Sequence, residues 1–219
     1  EVWKATDDKA SYSSPIVVEA EGKKQVVFLT AAGLVGVNPD TGKDYWRYPF
    51  KDLLQESATT PLYHDGTVYG SSVTLGSVAL KLGTGENGPT AKKLWADPKL
   101  NCYFSTPVAV AADTLVMLNG KLSINPSITL RAVDAATAKV LWERPNVGKY
   151  HAALVRTADA KLLMLDDAGN LTLFAAPRDG YRELAKAKVC GATWAHPALA
   201  NGKVYVRDET ELVCVELGR

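Results

Sequence analysis

Along the chain, apolar residues fall in short runs that alternate with polar ones and are broken by Gly, Asp, Asn or Pro. In Ile128-Thr129-Leu130-Arg131-Ala132 the alternation is strict, as in a strand with one face buried and one in water. The runs also recur in a fixed order. Ser13-Ser14-Pro15-Ile16-Val17-Val18 opens the order. It returns as Thr59-Thr60-Pro61-Leu62-Tyr63, Ser105-Thr106-Pro107-Val108-Ala109, His151-Ala152-Ala153-Leu154-Val155 and Ala195-His196-Pro197-Ala198-Leu199. The anchors Pro15, Pro61, Pro107 and Ala153 stand 46 residues apart, and Pro197 follows 44 later. A period of that length with strand-like content marks a β-propeller or a related array.

Each repeat reads as four strands. After the anchor comes a turn at Gly22, Asp65-Gly66, Asp113, Asp159 or Asn201-Gly202, residues that accept hairpin backbone angles. The second strand is Val26 to Leu29, Thr67 to Tyr69, Leu115 to Leu118, Leu162 to Leu165, or Val204 to Val206. The third is Leu34 to Val37, Val78 to Leu82, Ile128 to Val133, Leu171 to Ala175, or Leu212 to Leu217. The fourth carries Trp46, Trp95 and Trp142, with Leu184 in the matching place and Trp3 as an isolated member of the series. The expected fold is all-β: a propeller of four-stranded antiparallel blades, about five in this chain. One domain covers 1–219, with repeats at approximately 7–50, 51–98, 99–145, 146–190 and 191–219, the last completed by residues 1–6.

A blade has two open edges. Proline has no N–H to donate, so Pro15, Pro61, Pro107 and Pro197 suit a first strand whose outer side is unpaired. Lys43, Lys92, Lys93, Lys139, Lys186 and Lys188 recur at the fourth strand, where charge discourages pairing with another molecule. First strands are therefore placed innermost and fourth strands outside. Glu1-Val2-Trp3-Lys4 reads as a fourth strand without its first three, and Thr193 to Leu217 as three strands without a fourth. Closure of a five-bladed ring by these ends and excision from a larger ring both fit.

Composition narrows the function classes. The chain has 219 residues with 47% hydrophobic content, enough to bury a substantial interior. Twenty-five basic against twenty-four acidic side chains give a net charge of +1, which implies no global attraction to nucleic acid or anionic membrane. No apolar run approaches the roughly 18 to 20 residues of a membrane span. Cys102, Cys190 and Cys214 allow at most one bridge within a monomer, and buried free thiols are expected.

The segments Val37-Asn38-Pro39-Asp40-Thr41-Gly42-Lys43-Asp44-Tyr45-Trp46 and Ala132-Val133-Asp134-Ala135-Ala136-Thr137-Ala138-Lys139-Val140-Leu141-Trp142 resemble the tryptophan-docking repeat of quinoprotein-like (PQQ-repeat, BamB-like) β-propellers. The resemblance covers essentially the whole chain. It implies rings of seven or eight blades, so that five would be part of a larger ring, and an extracytoplasmic, bacterial setting. Enzymes of the family hold pyrroloquinoline quinone (PQQ) beside a calcium held by Glu and Asn, an Asp base and a disulfide between adjacent cysteines. Cys102, Cys190 and Cys214 are well separated, and no Glu/Asn/Asp set carries across residue by residue. No cofactor and no metal site are therefore expected; PQQ with calcium belongs only to an enzymatic alternative.

Local motifs add little chemistry. Gly83-Thr84-Gly85-Glu86-Asn87-Gly88 satisfies GxGxxG, but Pro89 and a strand follow it where a dinucleotide site needs a helix; it reads as a loop between strands. Asp166-Asp167-Ala168-Gly169-Asn170 lacks the length of an EF-hand loop and reads as a hairpin turn. Asn170-Leu171-Thr172 is a glycosylation sequon meaningful only in a eukaryotic secretory setting.

One register stands out. Three residues before each anchor stand Tyr12, Ala58, Phe104, Tyr150 and Trp194, aromatic in four of five repeats, followed by small polar residues or by His151 and His196. If first strands line a channel, these residues form a collar at one mouth, on the face that also carries the loop from Gly120 to Ser127. Packing between blades would use the same aromatics. As a site, Tyr12, Phe104, Tyr150, His151, Trp194 and His196 are the candidate ligand- or partner-binding residues, and no catalytic residue is assigned. The function expected is a non-catalytic scaffold that binds a protein or peptide outside the cytoplasm. The alternatives are a PQQ-dependent oxidoreductase, or a degenerate relative, with its cofactor residues in absent blades, and a carbohydrate- or small-ligand-binding module.

Overall fold

The structure, a computed structural model, describes residues 1–219 apart from 56, 121, 122 and 219. The described residues contain nineteen strands and no helix. The first blade is β1 (Ile16–Ala20), β2 (Lys23–Leu29), β3 (Gly33–Val37) and β4 (Asp44–Pro49). The second is β5 (Leu62–His64), β6 (Thr67–Ser72), β7 (Gly76–Gly85) and β8 (Gly88–Asp97). The third is β9 (Val108–Ala111), β10 (Thr114–Asn119), β11 (Ile128–Asp134) and β12 (Val140–Gly148). The fourth is β13 (Ala152–Arg156), β14 (Leu162–Asp166), β15 (Asn170–Ala175) and β16 (Arg182–Lys188). The fifth has β17 (Ala198–Ala200), β18 (Lys203–Arg207) and β19 (Leu212–Glu216). Each sheet is antiparallel and follows chain order from one edge to the other. The alternating runs and turn residues thus form the strands the sequence predicts.

Turn chemistry explains why the hairpins close where they do. Glu21-Gly22, Asp65-Gly66 and Asn201-Gly202 all have both residues at positive φ, between 45° and 73°, as two-residue type I′ turns require. Pro15, Pro61, Pro107 and Pro197 each stand one residue before an edge strand, where no ladder bond is lost. At the opposite edge of the fourth blade, every residue of β16 is exposed, with lysines at 186 and 188.

The chain divides into two compact units: residues 1–106 with 136–138, and residues 107–135 with 139–219. In the first unit, two blades share one core in which Val27, Val68, Val78 and Leu80 are fully buried. Burial of each contributes about 1.5–3 kcal/mol. The two blades approach so closely that a Cβ on Gly70 would lie 2.8 Å from Leu34 Cδ1. The Trp46 indole lies flat over Gly36, where a Cβ would be 2.3 Å from the ring, and its Nε1 donates to the buried Gln25 Oε1 at 2.7 Å. In the second unit, Leu130, Ala132, Leu162 and Phe174 centre a core between the third and fourth blades. Leu163, Leu165, Val204 and Val206 centre another between the fourth and fifth.

Two expectations change. Among the described residues, 1–6 are not a strand and the fifth blade contains only β17, β18 and β19. The Trp3 indole instead donates to Pro39 O at 2.8 Å and packs on Gly42, so this segment is held by a side chain at the β3–β4 turn rather than by strand pairing. The stretch from Gly83 to Gly88 is not a loop of its own. Gly83 and Gly85 lie within β7 and Gly88 opens β8, leaving only Glu86-Asn87 to turn.

The two kinds of glycine respond differently to substitution. Gly36→Ala forces a methyl into the Trp46 ring, and we expect a loss of about 3 kcal/mol, typical of overpacking. Gly22, at φ 73° with open space around it, is expected to lose about 1 kcal/mol as alanine. Urea midpoints of the two variants measure the difference.

Candidate functional site

The candidate residues lie in the segments that lead into the first strand of a blade. Such a segment leaves its sheet, so its backbone N–H groups need other partners. In the fourth blade they find Asp167. Its carboxylate accepts the N–H groups of Lys149 at 3.0 Å, Tyr150 at 2.6 Å and His151 at 3.4 Å, and Asp167 N donates to His151 O at 3.0 Å. Asp166 closes the hairpin below, accepting from the N–H groups of Ala168 and Asn170 at 3.0 and 2.8 Å. This fits the hairpin reading of 166–170.

The same hairpin holds the next segment. Thr193 N donates to Asp167 O at 3.1 Å, while Thr193 Oγ1 donates to Arg207 O at 2.5 Å and accepts from Ala195 N at 3.0 Å. Trp194 stands between these bonds. The clamps place the Tyr150 and Trp194 ring centres 6.0 Å apart, and those of His151 and Trp194 6.3 Å apart. Both large rings remain exposed, Tyr150 at 44% and Trp194 at 57%, whereas His151 is buried at 6%. Burial first, then the neighbouring His196, lowers the His151 pKa to about 4 against the pull of Asp167. Its imidazole is neutral at pH 7. His196 is exposed. Beside Trp194 lies a hollow of about 490 Å³ lined by Thr193, Arg207, Asp208 and Glu209. The Asp208 carboxylate accepts the N–H groups of Thr210, Gly191 and Glu211, which hold it well below the usual carboxylate range.

Tyr150, His151 and Trp194 therefore form one cluster in the second unit, with His196 close enough to act on His151. Tyr12 and Phe104 belong to the first unit. Tyr12 donates its N–H to Ser57 O at 3.1 Å and its side chain is 78% exposed, while Phe104 is half-buried and stacked on Tyr103 at 3.8 Å. The segment around Tyr12 is pinned like that around Trp194: Ser11 Oγ donates to Leu29 O and accepts from Ser13 N at 3.1 Å. Thr59 Oγ1 makes the corresponding bond to Ser71 O at 2.7 Å.

Sequence reasoning missed the pins Ser11, Thr59, Thr193 and Asp167. A hydroxyl two or four residues before the proline is the signal that marks three of them. It also missed exposed apolar side chains at the same topological end. Leu53 is 81% exposed and Ile124 99%. Ile124 belongs to the 120–127 loop, of which residues 121 and 122 lie outside the described residues.

All three cysteines are free; Cys102 and Cys190 are buried as expected, but Cys214 is exposed because β19 is the edge of its sheet. Burial pushes the Cys190 thiol pKa up. Among the described residues, no three His, Cys, Asp or Glu side chains group so as to hold a metal ion.

Antiparallel blades in chain order, four of them four-stranded, with tryptophan on the fourth strand of the first three, define a β-propeller of the quinoprotein-like class. The family model described as outer membrane protein assembly factor BamB matches residues 1–128, and the chain belongs to this family. The crystal structure of BamB from Moraxella catarrhalis is similar, with a TM-score of 0.66 at 18% identity, over 97% of this chain and 59% of that one. A quinohemoprotein alcohol dehydrogenase from Pseudomonas putida matches with a TM-score of 0.64 at 13% identity, over 97% of this chain and 40% of that one. The β-propeller domain of Swd1 from Myceliophteria thermophila matches with a TM-score of 0.57 at 14% identity, over 88% and 69%. At these identities the likeness is one of fold. The chain spans less than two thirds of the first two structures. No curated protein sequence gives a significant match.

Because the unfolded His151 titrates near 6.5 and the folded one near 4, the unfolded state binds more protons between these values, and stability falls as pH drops through the window. The expected loss from pH 7 to pH 5 is about 2 kcal/mol, read from urea midpoints, and His151→Gln removes most of it. Asp167→Ala strands the N–H groups it accepts, and is expected to cost about 2–3 kcal/mol at pH 7 in the same measurement.

Proposed function

We propose that this protein is a non-catalytic β-propeller scaffold that grips a protein or peptide partner outside the cytoplasm, with Tyr150 and Trp194 as its central apolar contacts. The observation that carries the reading is the Tyr150–Trp194 pair: two large rings, both left exposed, on segments whose backbones are clamped to neighbouring strands. Rigid aromatics lose little freedom on binding and dominate interface energies. Ile124, at the same end of its own blade, adds exposed apolar surface, of the kind that marks interaction faces. Tyr12, Leu53 and Leu54 do so in the first unit. Membership in a family described as an outer membrane protein assembly factor supports both the scaffold role and the extracytoplasmic setting. The net charge of +1 favours a protein partner over nucleic acid, and the reading requires no cofactor.

Photocrosslinking tests it. A benzoylphenylalanine placed at position 194 or 150 is expected to capture a discrete protein from bacterial envelope extract, and one at position 93 on β8 is not. Trp194→Ala with Tyr150→Ala is expected to weaken binding of the captured protein about thirtyfold with the thermal midpoint little changed. Equal capture from positions 93 and 194, or none from either ring position, overturns the reading.

A further inference from the structure

A separate feature of the second unit is a cleft of about 670 Å³ between β12 and the face of the fourth blade. It exists because β12 is bulged. Ile128 pairs with Gly148 but Leu130 pairs with Arg144, so Pro145, Asn146 and Val147 are displaced from the ladder. Asn146 takes φ 60° and its Oδ1 accepts from Ser127 Oγ at 2.7 Å, which fixes the bulge. Such bulges commonly shape sites at sheet edges. Met164 and Thr172, both at least 95% buried and paired across β14 and β15, line the cleft.

The charges at the cleft are balanced in number but not in availability. Asp166, Asp167 and Glu183 face Arg144, Lys149 and Lys186. The carboxylates are engaged from within: Asp166 and Asp167 by the N–H groups named above, and Glu183 by the Tyr181 hydroxyl at 3.1 Å. Burial and Glu183 push the Tyr181 phenol up to about 12, so it remains a donor. The cations are less occupied. Arg144 lies over the Tyr181 ring at 4.6 Å and 3.9 Å from Glu183, and Lys149 Nζ lies 4.9 Å from the Tyr150 ring centre. No described residue forms a hydrogen bond or ion pair with the Lys186 ammonium. Donors in excess of free acceptors call for a ligand that brings carboxylates.

We infer that this cleft binds an extended peptide segment bearing acidic side chains, with Lys186, Lys149 and Arg144 receiving the carboxylates. The inference rests on the partner-binding reading and names the partner's chemistry. Alternate residues of an extended strand fall about 7 Å apart on one face, which spaces carboxylates for separate cations. The interspersed Asp166, Asp167 and Glu183 repel the continuous charge of a polyphosphate. Lys149 joins the cleft to the aromatic pair through its neighbour Tyr150, so one segment can meet both.

The probe is a fluorescein-labelled peptide alternating glutamate and valine, compared with serine–valine and lysine–valine versions by fluorescence polarisation on the full chain. The glutamate peptide is expected to bind saturably and to weaken as salt rises from about 50 to about 300 mM. Lys186→Glu and Lys149→Glu are each expected to weaken it about tenfold, and Lys93→Glu, on β8 of the first unit, leaves it unchanged. Absence of saturable glutamate-peptide binding, or Lys186→Glu behaving as Lys93→Glu does, overturns the inference. Serine–valine binding as tight as glutamate–valine also overturns the acidic preference, while leaving peptide recognition by the aromatic pair standing.

Discussion

A repeated hairpin blade has one recurrent problem: the chain must leave a finished sheet and enter the next while its backbone N–H groups still require partners. The side chains that meet this need organise the rest. Ser11, Thr59 and Thr193 donate their hydroxyls to carbonyl groups at the ends of β2, β6 and β18, Ser11 and Thr193 also accept the N–H groups of Ser13 and Ala195, and Asp167 accepts those of Lys149 and Tyr150 with its carboxylate. Each pin fixes where the following strand begins, hence its register and the face its side chains bury. The exposed aromatics follow from the same geometry. Trp194 is flanked by bonds to Thr193 Oγ1 and Asp167 O, so its ring stays in solvent without the segment becoming loose.

Tryptophan serves two purposes in the same repeat position. Trp46 closes over Gly36 and spends its indole N–H on Gln25 of its own blade. Trp142 reaches across to Pro177 O at 2.9 Å, at the β15–β16 turn, as Trp3 reaches Pro39 O at the β3–β4 turn. The difference follows from the turns available. Asn38 to Gly42 and Ala176 to Gly180 form open turns with a carbonyl for the indole, while β7 and β8 run on as a long hairpin to Glu86-Asn87. The extended hairpin at that position offers no such turn.

The strands were legible because their cause is local. Alternation, the Asp-Gly and Asn-Gly turns and the period of 46 appear in the sequence itself; alternating runs joined by such a turn define a hairpin, and the period repeats it. Features that depended on distant partners were not. Glu1-Val2-Trp3-Lys4 looks like a fourth strand, yet the Trp3 indole is drawn to a carbonyl 36 residues away. Asp167 sits in a run that reads only as a turn, and its clamp on 149–151 becomes visible once the fourth blade is folded. The bulge at 145–147 carries a proline, which by itself would suggest only an edge strand. The aromatic register was visible in part: Tyr150, His151 and Trp194 meet, while Tyr12 and Phe104 have settings of their own in the first unit.

One residue links the two surfaces of the second unit. Asp167 grips consecutive N–H groups, and the three side chains it thereby aligns point to different tasks: Lys149 to the cleft, Tyr150 to the exposed pair, His151 to the buried ground beneath Trp194. A neutral His151 is necessary to this arrangement, because a charged imidazole with little access to water would oppose its own burial and repel His196. Acid therefore acts on the packing under Trp194. On the proposed reading, the aromatic contact and the charged contact would share one backbone clamp but fail under different conditions, the first on protonation of His151 and the second on screening by salt. A partner of the proposed kind that needs both would be held only where pH is near neutral and ionic strength moderate.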